Sequence, residues 1–326
     1  MPDTVLVTGG AGYIGSHATL ALREAGRRVV VIDNLSTGRR SLVPEGVPLV
    51  EGDIGDGALV RHVLREHRCT AVMHFAGSII VPDSVADPLA YYRNNTCASR
   101  NVIEACVAVG VENFIFSSTA AVYGEPEGVP IGEDAPLRPI SPYGTSKLMT
   151  EWMLRDTAAA TRLRYVALRY FNVAGADPRG RSGQATPKAT HLIKVAAEAV
   201  TGKRAGVTIF GDDYPTADGT GVRDYIHVSD LADAHVRALS YLCDGGASEV
   251  MNCGYGHGFS VRQVLDAVQE VSGYPLNVSV GPRRDGDPAE LVSAPEKIRR
   301  VLGWVPRHDD LTAIVASALA WERRLA

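Results

Sequence analysis

The feature that most constrains this chain is a glycine pattern close to its first residue. A short apolar run, Thr4–Thr8, leads directly into residues 9–15 (GGAGYIG), and a helical pattern follows. Glycines let a backbone turn sharply and approach a phosphate group without a Cβ in the way. The exposed N–H groups and the dipole of the next helix then favour negative charge. A strand, a G-x-x-G-x-x-G loop and a helix in this order predict a dinucleotide-binding unit.

Short β-branched runs alternate with longer helical patterns through the first half of the chain. The runs are continuously apolar, as a parallel sheet covered by helices on both faces requires. Strands are predicted over residues 4–8, 29–33, 49–52, 71–75, 113–118 and 165–169. Helices are predicted over residues 12–25, 57–66, 88–109 and 142–160. This order predicts an α/β fold, a Rossmann-type doubly wound parallel sheet.

From about residue 172 the pattern loosens, and Gly, Pro and Asp cluster in stretches that are typical of loops. Two more helices are predicted over residues 229–241 and 260–271, because each periodic apolar stretch begins at a serine. We expect residues 1–172 to form the dinucleotide-binding Rossmann domain, with residues 228–250 returning to it. Residues 173–227 and 251–326 are expected to form a smaller, interleaved C-terminal α/β substrate lobe.

Composition and charge exclude several classes of function. The net charge of -4 over 326 residues gives no basic footprint for nucleic acid or for an anionic membrane. The first ten residues, MPDTVLVTGG, lack a basic region and a long apolar region, so we expect no signal peptide. Five cysteines are scattered without metal-ligand spacing, which favours a reducing compartment and no metal. The chain is therefore expected to be cytoplasmic.

The end of the second predicted strand indicates which dinucleotide is bound. Asp33 stands where an acidic residue bonds the ribose hydroxyls, and its charge would repel a 2′-phosphate, so NAD is favoured over NADP. Arg39 and Arg40 lie nearby and leave tolerance of a phosphate open. Two later turns fit the same edge, residues 52–54 (GDI) and residues 75–77 (FAG). Each is an ordinary strand end alone, but together they follow the spacing of successive βα units.

Residues 141–147 (SPYGTSK) predict the start of a helix that carries an acid–base pair. Tyr143 and Lys147 are four residues apart and so lie on one helical face. Tyrosine has an unperturbed pKa of about 10, and a nearby cation stabilises its phenolate. Thr119 ends the preceding predicted strand, where its hydroxyl would face the cofactor.

Thr119, Tyr143 and Lys147 behind a glycine-rich domain resemble the extended short-chain dehydrogenase/reductase superfamily over nearly the whole chain. Its members include epimerases, 4,6-dehydratases and decarboxylases of nucleotide sugars. The dehydratases carry an Asp-Glu pair after this hydroxyl residue, and decarboxylases tend to have a glutamate there. Here Ala120 and Ala121 supply neither acid nor base. The resemblance therefore implies an epimerase, which oxidises a hydroxyl, turns the ketone and reduces it from the other face.

Four longer strings resemble the UDP-glucose 4-epimerase family. They are residues 8–17 (TGGAGYIGSH), 33–38 (DNLSTG), 169–175 (RYFNVAG) and 213–228 (DYPTADGTGVRDYIHV). The resemblance implies interconversion of UDP-glucose and UDP-galactose through a transient 4-keto sugar and bound NADH. Tyr143 would take the C4 hydroxyl proton, with Thr119 bonding that hydroxyl. It also implies a homodimer that packs the helices predicted over residues 88–109 and 142–160.

The resemblance implies two sets of binding residues, and the lobe would hold the nucleotide sugar. The expected NAD-binding residues are Gly9, Gly12, Tyr13, Ile14, Gly15, Asp33, Asn34, Ser36, Thr37, Gly38, Asp53, Ile54, Phe75, Ala76, Gly77, Asn94, Ser117, Tyr143, Lys147 and Tyr170. The expected substrate-binding residues are Thr119, Asn172, His191, Leu192, Thr208, Phe210, Arg223, Arg284 and Leu291. The two arginines would contact the diphosphate, which suits the planar guanidinium group.

The chain departs from the family pattern at three positions. A lysine expected two residues after Gly77 is Ile79, so cofactor retention is weaker or achieved differently. An asparagine that commonly binds substrate aligns with His191, and a tyrosine beside the hexose aligns with Leu291. A smaller residue there leaves room for an N-acetyl group, so a 4-epimerase for UDP-N-acetylhexosamines or UDP-pentoses is an alternative. A non-catalytic NAD-sensing regulator is another, although such proteins usually lose the Tyr-x-x-x-Lys pair.

Overall fold

Strands and helices alternate along most of the protein, for which a computed structural model describes residues 4–187, 189–284 and 287–325. The strands are β1 Thr4–Thr8, β2 Arg28–Asp33, β3 Leu49–Glu51, β4 Cys69–His74, β5 Asn113–Ser117, β6 Arg164–Tyr170, β7 Asn172–Ala174, β8 Val207–Phe210, β9 Val222–Arg223, β10 Tyr225–His227, β11 Glu249–Cys253, β12 Phe259–Ser260, β13 Val278–Gly281 and β14 Glu290–Leu291. The helices are α1 Tyr13–Glu24, α2 Gly57–Glu66, α3 Val81–Ala86, α4 Pro88–Tyr91, α5 Ala98–Val109, α6 Pro142–Ala160, α7 Leu192–Val200, α8 Val228–Cys243, α9 Val261–Ser272, α10 Glu296–Leu302 and α11 Leu311–Arg324.

A seven-stranded parallel sheet in the order β11-β6-β5-β4-β1-β2-β3 forms the centre of the molecule. Its strands are continuously apolar because helices cover both faces, and every residue of β1 is buried. The strand order reverses between β1 and β4. Ligands of open α/β sheets bind at the carboxyl ends of the strands beside such a reversal. The predicted Rossmann-type doubly wound fold is confirmed.

Alternate residues of β1 enter two different cores. Val5 and Val7 face a core that α1 and α8 cover and that continues into the smaller lobe as far as Ile314. Leu6 faces the opposite core, under α2, α5 and α6. The first core therefore belongs to the sheet and to the lobe together. Within the described ranges, no helix is both long and apolar enough to cross a membrane.

The C-terminal part of the chain interleaves with the sheet. After β10 the chain returns through α8 to β11, which pairs with β6 at the sheet edge. The lobe contributes small pairings of β8 with β13, β9 with β12 and β14, and β7 with β10. Helices α7, α9 and α11 pack on one another beside them. The division into two domains at the stated residues stays a prediction.

Two of the predicted helices differ from expectation, one by an interruption and one at its start. The predicted helix over residues 88–109 is interrupted by a π-helical stretch at Tyr92–Cys97. Helix α8 begins at Val228, and the ring of His227, not Ser229, caps it by accepting a bond from the Ser229 N–H. Ser260 does cap α9, in a capping box with Gln263. The sequence prediction looked for a serine at the start of each helix, and such a search does not detect a cap formed by a histidine ring.

Candidate active site

The glycine loop is a backbone cradle that side chains would fill. Gly9 has φ +70°, and a Cβ built there would lie 2.6 Å from the amide nitrogen of Ala76. A Cβ on Gly15 would lie 2.2 Å from the carbonyl oxygen of Gly9. Gly12 is the N-cap of α1, and no side chain caps that end, so the first-turn N–H groups keep their capacity for an anion. These features fit the pyrophosphate of a dinucleotide.

Asp33 joins the end of β2 to this loop. Its carboxylate is buried and accepts bonds from the N–H groups of Ala11, at 2.9 Å, and Leu35, at 2.8 Å. Each carboxylate oxygen retains a second lone pair for a ribose hydroxyl. Arg40 pairs with Glu51 at 2.6 Å. The glutamate offsets the positive charge of Arg40, which binding of a 2′-phosphate would require. The surroundings of Asp33 fit NAD.

The residues after β2 and β3 form a rim at the same edge. The Asn34 side chain donates to Asp53 at 3.2 Å and accepts from the Ser36 N–H at 3.1 Å. Thr37 is exposed beside them, and Gly38 packs closely on Ala11. Ile54, in contrast, is buried in the core, so only its main chain is available to a ligand.

The turn after β4 brings this edge to the proposed catalytic pair. The Phe75 N–H donates to the Thr8 carbonyl at 3.1 Å, which holds the turn against β1. A Cβ on Gly77 would lie 3.0 Å from the Asn95 side-chain oxygen and 3.8 Å from Lys147 Nζ. A Cβ at Gly77 would therefore crowd the Asn95 oxygen and come into van der Waals contact with the lysine. Ala76, against Gly9, completes the predicted small-residue turn.

Helix α6 presents Tyr143 and Lys147 to the end of β5, and Ser141 caps it by accepting a bond from the Gly144 N–H. Lys147 is 4% exposed and donates to the Ser117 carbonyl at 3.0 Å. Burial lowers the pKa of Lys147 to about 8. Burial likewise raises the pKa of Tyr143, and a hydrogen bond from Thr119 opposes that rise. In the protein alone burial prevails, so Tyr143 needs added positive charge to ionise near neutral pH.

Four further predicted residues have defined contacts, two of them beside this pair and two at the start of α1. The hydroxyls of Ser117 and Tyr170 are hydrogen-bonded to each other, and burial raises the pKa of Tyr170. Tyr13 donates to the Gly175 carbonyl at 2.6 Å, which ties α1 to the segment after β7. Ile14, next to it, packs against the core shared with the lobe. These contacts join the glycine loop, β6 and the start of the lobe.

The family resemblance implied Asn94 as a cofactor contact, but its neighbour Asn95 is the more buried of the two. The Asn94 amide donates to the Ser78 hydroxyl at 2.8 Å. Asn95 is buried in the π-helical stretch, where its oxygen accepts from the Ser78 N–H and its nitrogen donates to Ser146. Ile79, at the expected lysine position, is exposed, and Asn95 holds the turn. No sequence signal distinguished Asn95 from Asn94, because its burial depends on how the turn after β4 packs on the π-helical stretch.

Two arginines of the predicted substrate set are already held by neighbours. Arg223 forms an ion pair with Asp287 at 3.0 Å, and only 12% of its side chain is exposed. The Arg284 guanidinium lies 3.9 Å from the centre of the Phe210 ring. Thr208, exposed on the same strand as Phe210, bonds to Ser279 of β13. Asp287 was not singled out, because an aspartate in a loop rich in charges has no distinguishing pattern.

Asn172, His191 and Leu192 line one cavity at the base of the lobe. Gln184, also in that lining, places its side-chain nitrogen 2.8 Å from Nδ1 of His191. Burial lowers the pKa of His191 and so favours the neutral ring. A neutral ring that accepts at Nδ1 carries its proton on Nε2, which is then a donor. The cavity thus brings these three predicted residues together.

Leu291 lies between the two groups of predicted residues. It pairs with Arg223 in the strand register, and its side chain packs against a small apolar cluster. That cluster contains Ala120 and Leu148, the neighbours in sequence of Thr119 and Lys147. Among the described residues, no hydrogen bond or ion pair joins the substrate set of the lobe directly to Tyr143 or Lys147. The described residues contain no group of three or more His, Cys, Asp or Glu side chains that could hold a metal ion.

The chain is similar to known proteins over nearly its whole length. A model of the NAD dependent epimerase/dehydratase family matches residues 5–254. A UDP-glucose 4-epimerase of Azospirillum brasilense is 63% identical over 321 residues, covering 98% of this chain and 92% of that relative. The crystal structure of a UDP-glucose 4-epimerase from Stenotrophomonas maltophila, with bound NAD and formylated UDP-arabinopyranose, is 38% identical, with a TM-score of 0.95 and coverage of 99% and 98%. The UDP-Glc/GlcNAc 4-epimerase of Campylobacter jejuni is 47% identical, with a TM-score of 0.87 and coverage of 99% of both chains.

Proposed function

This chain belongs to the NAD dependent epimerase/dehydratase family, and we propose that it is a UDP-glucose 4-epimerase that interconverts UDP-glucose and UDP-galactose. The turn after Thr119 carries this proposal. It consists of Ala120, Ala121 and Val122, so the position where a dehydratase needs an acid and a base holds only apolar side chains. Proton transfer at the sugar then falls to Tyr143, which suits a reaction that returns every atom to its substrate. Family membership and the intact Tyr143–Lys147 pair argue against a non-catalytic regulator.

In the proposed reaction, Tyr143 accepts the proton of the C4 hydroxyl and later returns it. NAD held along the glycine loop and Asp33 would supply the acceptor for the C4 hydride and the donor for its return to the opposite face of the ketone. Lys147 contributes positive charge that stabilises the phenolate of Tyr143. The Thr119 hydroxyl, whose presence lowers the pKa of Tyr143, orients the substrate hydroxyl. The cycle balances without an external oxidant or reductant.

The lobe has to hold the nucleotide while the sugar turns. Arg223 and Arg284 suit the diphosphate, because a guanidinium binds phosphate oxygens through two parallel hydrogen bonds. Asp287 keeps Arg223 in place, and the Phe210 ring supports Arg284. A sugar linked only through the anchored diphosphate can present either face to the cofactor edge.

The direct test is an assay of the purified protein with UDP-galactose and no added reductant. We expect UDP-glucose to form, the same mixture to be reached from either sugar, and the NAD content to stay constant. Absence of UDP-glucose with NAD bound would overturn the assignment. Net accumulation of NADH would instead indicate a dehydrogenase.

UDP-N-acetylhexosamines are a second candidate substrate class. Leu291 offers an aliphatic side chain that is partly buried against the cluster of Tyr123, Ile131 and Phe171, where the family resemblance expects a tyrosine. The absence of a ring leaves space beside the sugar. The relative from Campylobacter jejuni, named for both glucose and N-acetylglucosamine substrates, supports testing this class. UDP-pentoses belong in the same assay, since another relative was crystallised with a UDP-arabinopyranose derivative.

We propose that two copies of the chain associate through α3 to α6. Leu89 is 76% exposed, Val85 64% and Trp152 44%, and all three are large apolar side chains on these helices. Association would remove them from water, and burial of apolar area is favourable. Light scattering should give about twice the mass of 34.7 kDa. Trp152→Asp should give the monomer mass, and a monomeric wild type would contradict the homodimer.

We propose a cytoplasmic location and a role in galactose and other carbohydrate metabolism. None of the five cysteines, all of which lie in the described ranges, forms a disulfide, and Cys69, Cys106 and Cys253 are buried, as suits a reducing compartment. Fractionation of cells should recover the protein with cytoplasmic markers. Recovery outside the cytoplasm would contradict this location without affecting the proposed reaction.

A further inference from the structure

Three successive residues at the end of β5, Ser117 to Thr119, lie against α6 at three positions spaced by about one helical turn. The Ser117 carbonyl accepts from Lys147 at 3.0 Å, and the Thr119 hydroxyl lies near enough to Tyr143 to lower the pKa of its phenol. Between them, the Ser118 hydroxyl donates to the carboxylate of Glu151. Positions 143, 147 and 151 are four residues apart and lie along one face of the helix. Glu151 thus continues the face that carries the catalytic pair, but no step of the proposed reaction uses it.

Glu151 is buried and fully engaged. Arg169 of β6 binds it through two hydrogen bonds, of 3.0 Å and 2.6 Å, and both side chains are 4% exposed. Arg169 also donates to the Tyr123 hydroxyl at 3.0 Å, which in turn donates to Asn252 of β11 at 2.7 Å. With these partners, the carboxylate is a fixed acceptor and is not placed to transfer protons. Ser118 is 0% exposed, so it reaches neither substrate nor solvent.

Stability alone is a weak reason for such a network. The cost of removing two charges from water offsets much of the attraction inside a protein, and apolar residues of similar volume often serve as well. What the pair does supply is a fixed position for Glu151 between α6 and β6, and the Ser118–Glu151 hydrogen bond then holds the end of β5 at a fixed distance from α6. Proximity of that kind matters for catalysis, because small misplacements of reacting groups are expensive.

We propose that Glu151, held by Arg169, is a positioning residue that fixes the Ser117–Thr119 segment against α6 and thereby aligns Tyr143 with Thr119. The proposal rests on the proposed function, because its kinetic effect is measured in the turnover of UDP-galactose. The hydrogen bond from Thr119 lowers the pKa of Tyr143, so a looser segment should raise that pKa. In a plot of kcat against pH, the rising limb is the range over which kcat increases as Tyr143 ionises. This limb should then move to higher pH, with KM unchanged.

Ser118→Ala tests the proposal with the least disturbance, because it removes one hydroxyl and leaves the Glu151–Arg169 pair intact. We expect kcat to fall at least about tenfold, KM for UDP-galactose to stay within about twofold, and the rising limb to move to higher pH. Thr150→Val is the matched control. Thr150 is as deeply buried on the same helix, but its hydroxyl bonds only the Ser146 carbonyl at 3.1 Å. If both variants have the wild-type kcat and pH profile, the positioning role is wrong.

Removal of the ion pair is the stronger variant. Glu151→Met combined with Arg169→Met avoids leaving one buried charge without its partner. We expect a folded protein that retains NAD, with kcat lowered about a hundredfold and the same upward shift of the limb. A folded double variant with wild-type kcat and pH profile would overturn the proposal. If this variant does not fold, the comparison of Ser118→Ala with Thr150→Val decides.

A substrate-independent measurement separates this proposal from the proposed function. The pKa of Tyr143 can be read from the ultraviolet difference between each protein and the same protein carrying Tyr143→Phe. That pKa should be higher in Ser118→Ala than in the wild type, whatever the substrate is. An unchanged pKa contradicts the positioning role even if UDP-galactose is turned over. A raised pKa in a protein that does not turn over UDP-galactose supports the positioning role and contradicts the substrate.

Discussion

The cofactor edge and the substrate lobe use different parts of the chain. At the edge, Gly9 and Gly15 have no room for a Cβ, and Asp33 holds main-chain N–H groups. In the lobe, long side chains provide the surface, with Arg223 on Asp287 and Arg284 on Phe210. A backbone site is altered only by changing its shape, whereas a side-chain site can be altered one contact at a time. Substitutions in the two regions should therefore change different measured quantities.

Tyr143→Phe should have the largest effect, on chemistry alone. The variant lacks the group that exchanges the hydroxyl proton, so kcat should fall about 10²–10⁴-fold. NAD retention should change much less than turnover, because phenylalanine keeps the ring at this position and the main-chain cradle around Gly9 and Gly15 is unaltered. The measurement is turnover of UDP-galactose together with NAD content after denaturation. Normal turnover would show that the acid–base assignment is wrong.

Gly9→Ala should reduce NAD retention by about 10–100-fold, since strained backbone of this kind costs about 1–3 kcal/mol. The added Cβ meets the Ala76 nitrogen at 2.6 Å, in a backbone conformation with φ +70°. Gly128→Ala is the control, because nothing lies within 4 Å of a Cβ at Gly128. Affinity for NAD can be measured by calorimetry on the apoprotein. Equal affinities for both variants would contradict a backbone-built site.

Arg223→Gln should raise KM for UDP-galactose by about 10–100-fold, as expected for one hydrogen bond to a charged group worth about 1.5–3 kcal/mol. NAD retention should be unchanged. Arg262→Gln is a suitable control, because Arg262 is 45% exposed and pairs only loosely with Asp212, at 3.7 Å. A loss of NAD in the Arg223 variant would contradict the claim that the two regions bind different ligands independently.

Thr119→Val should move the pH dependence of kcat upward and lower turnover about tenfold at neutral pH. Tyr143 must be ionised to accept a proton, so kcat rises as the pH passes its pKa. The Thr119 hydrogen bond lowers the pKa of Tyr143, so its removal raises that pKa and shifts the limb to higher pH. A limb at the wild-type pH would remove Thr119 from the catalytic set.

Leu291→Tyr should have the smallest effect and the most selective one. A ring at this position would occupy the space beside the sugar, so turnover of UDP-N-acetylglucosamine should fall several-fold more than that of UDP-glucose, a difference of about 1–2 kcal/mol. The ratio of kcat/KM for the two substrates is the measurement. Equal losses on both substrates would reject Leu291 as a determinant of specificity.

The same contrast explains how much the sequence could predict. The glycine loop and the Tyr143–Lys147 pair were predictable, because a strand, a loop spacing and a helical repeat fix their geometry locally. Asn95, Asp287 and the Glu151–Arg169 pair were not, because each depends on which side chains meet after distant segments pack. Strand β11 was missed for a related reason, since its place beside β6 follows from the return of the chain through α8. Local rules predict backbone sites better than sites built from side chains.

The most direct test of the central claim follows the hydrogen at C4. UDP-galactose carrying deuterium at C4 is converted by the wild-type protein in ordinary water, and the UDP-glucose is examined by mass spectrometry and NMR. If the hydride leaves the sugar and returns to it while Tyr143 carries only the hydroxyl proton, the product keeps its deuterium at C4. UDP-glucose with hydrogen from water at C4 would contradict the closed cycle.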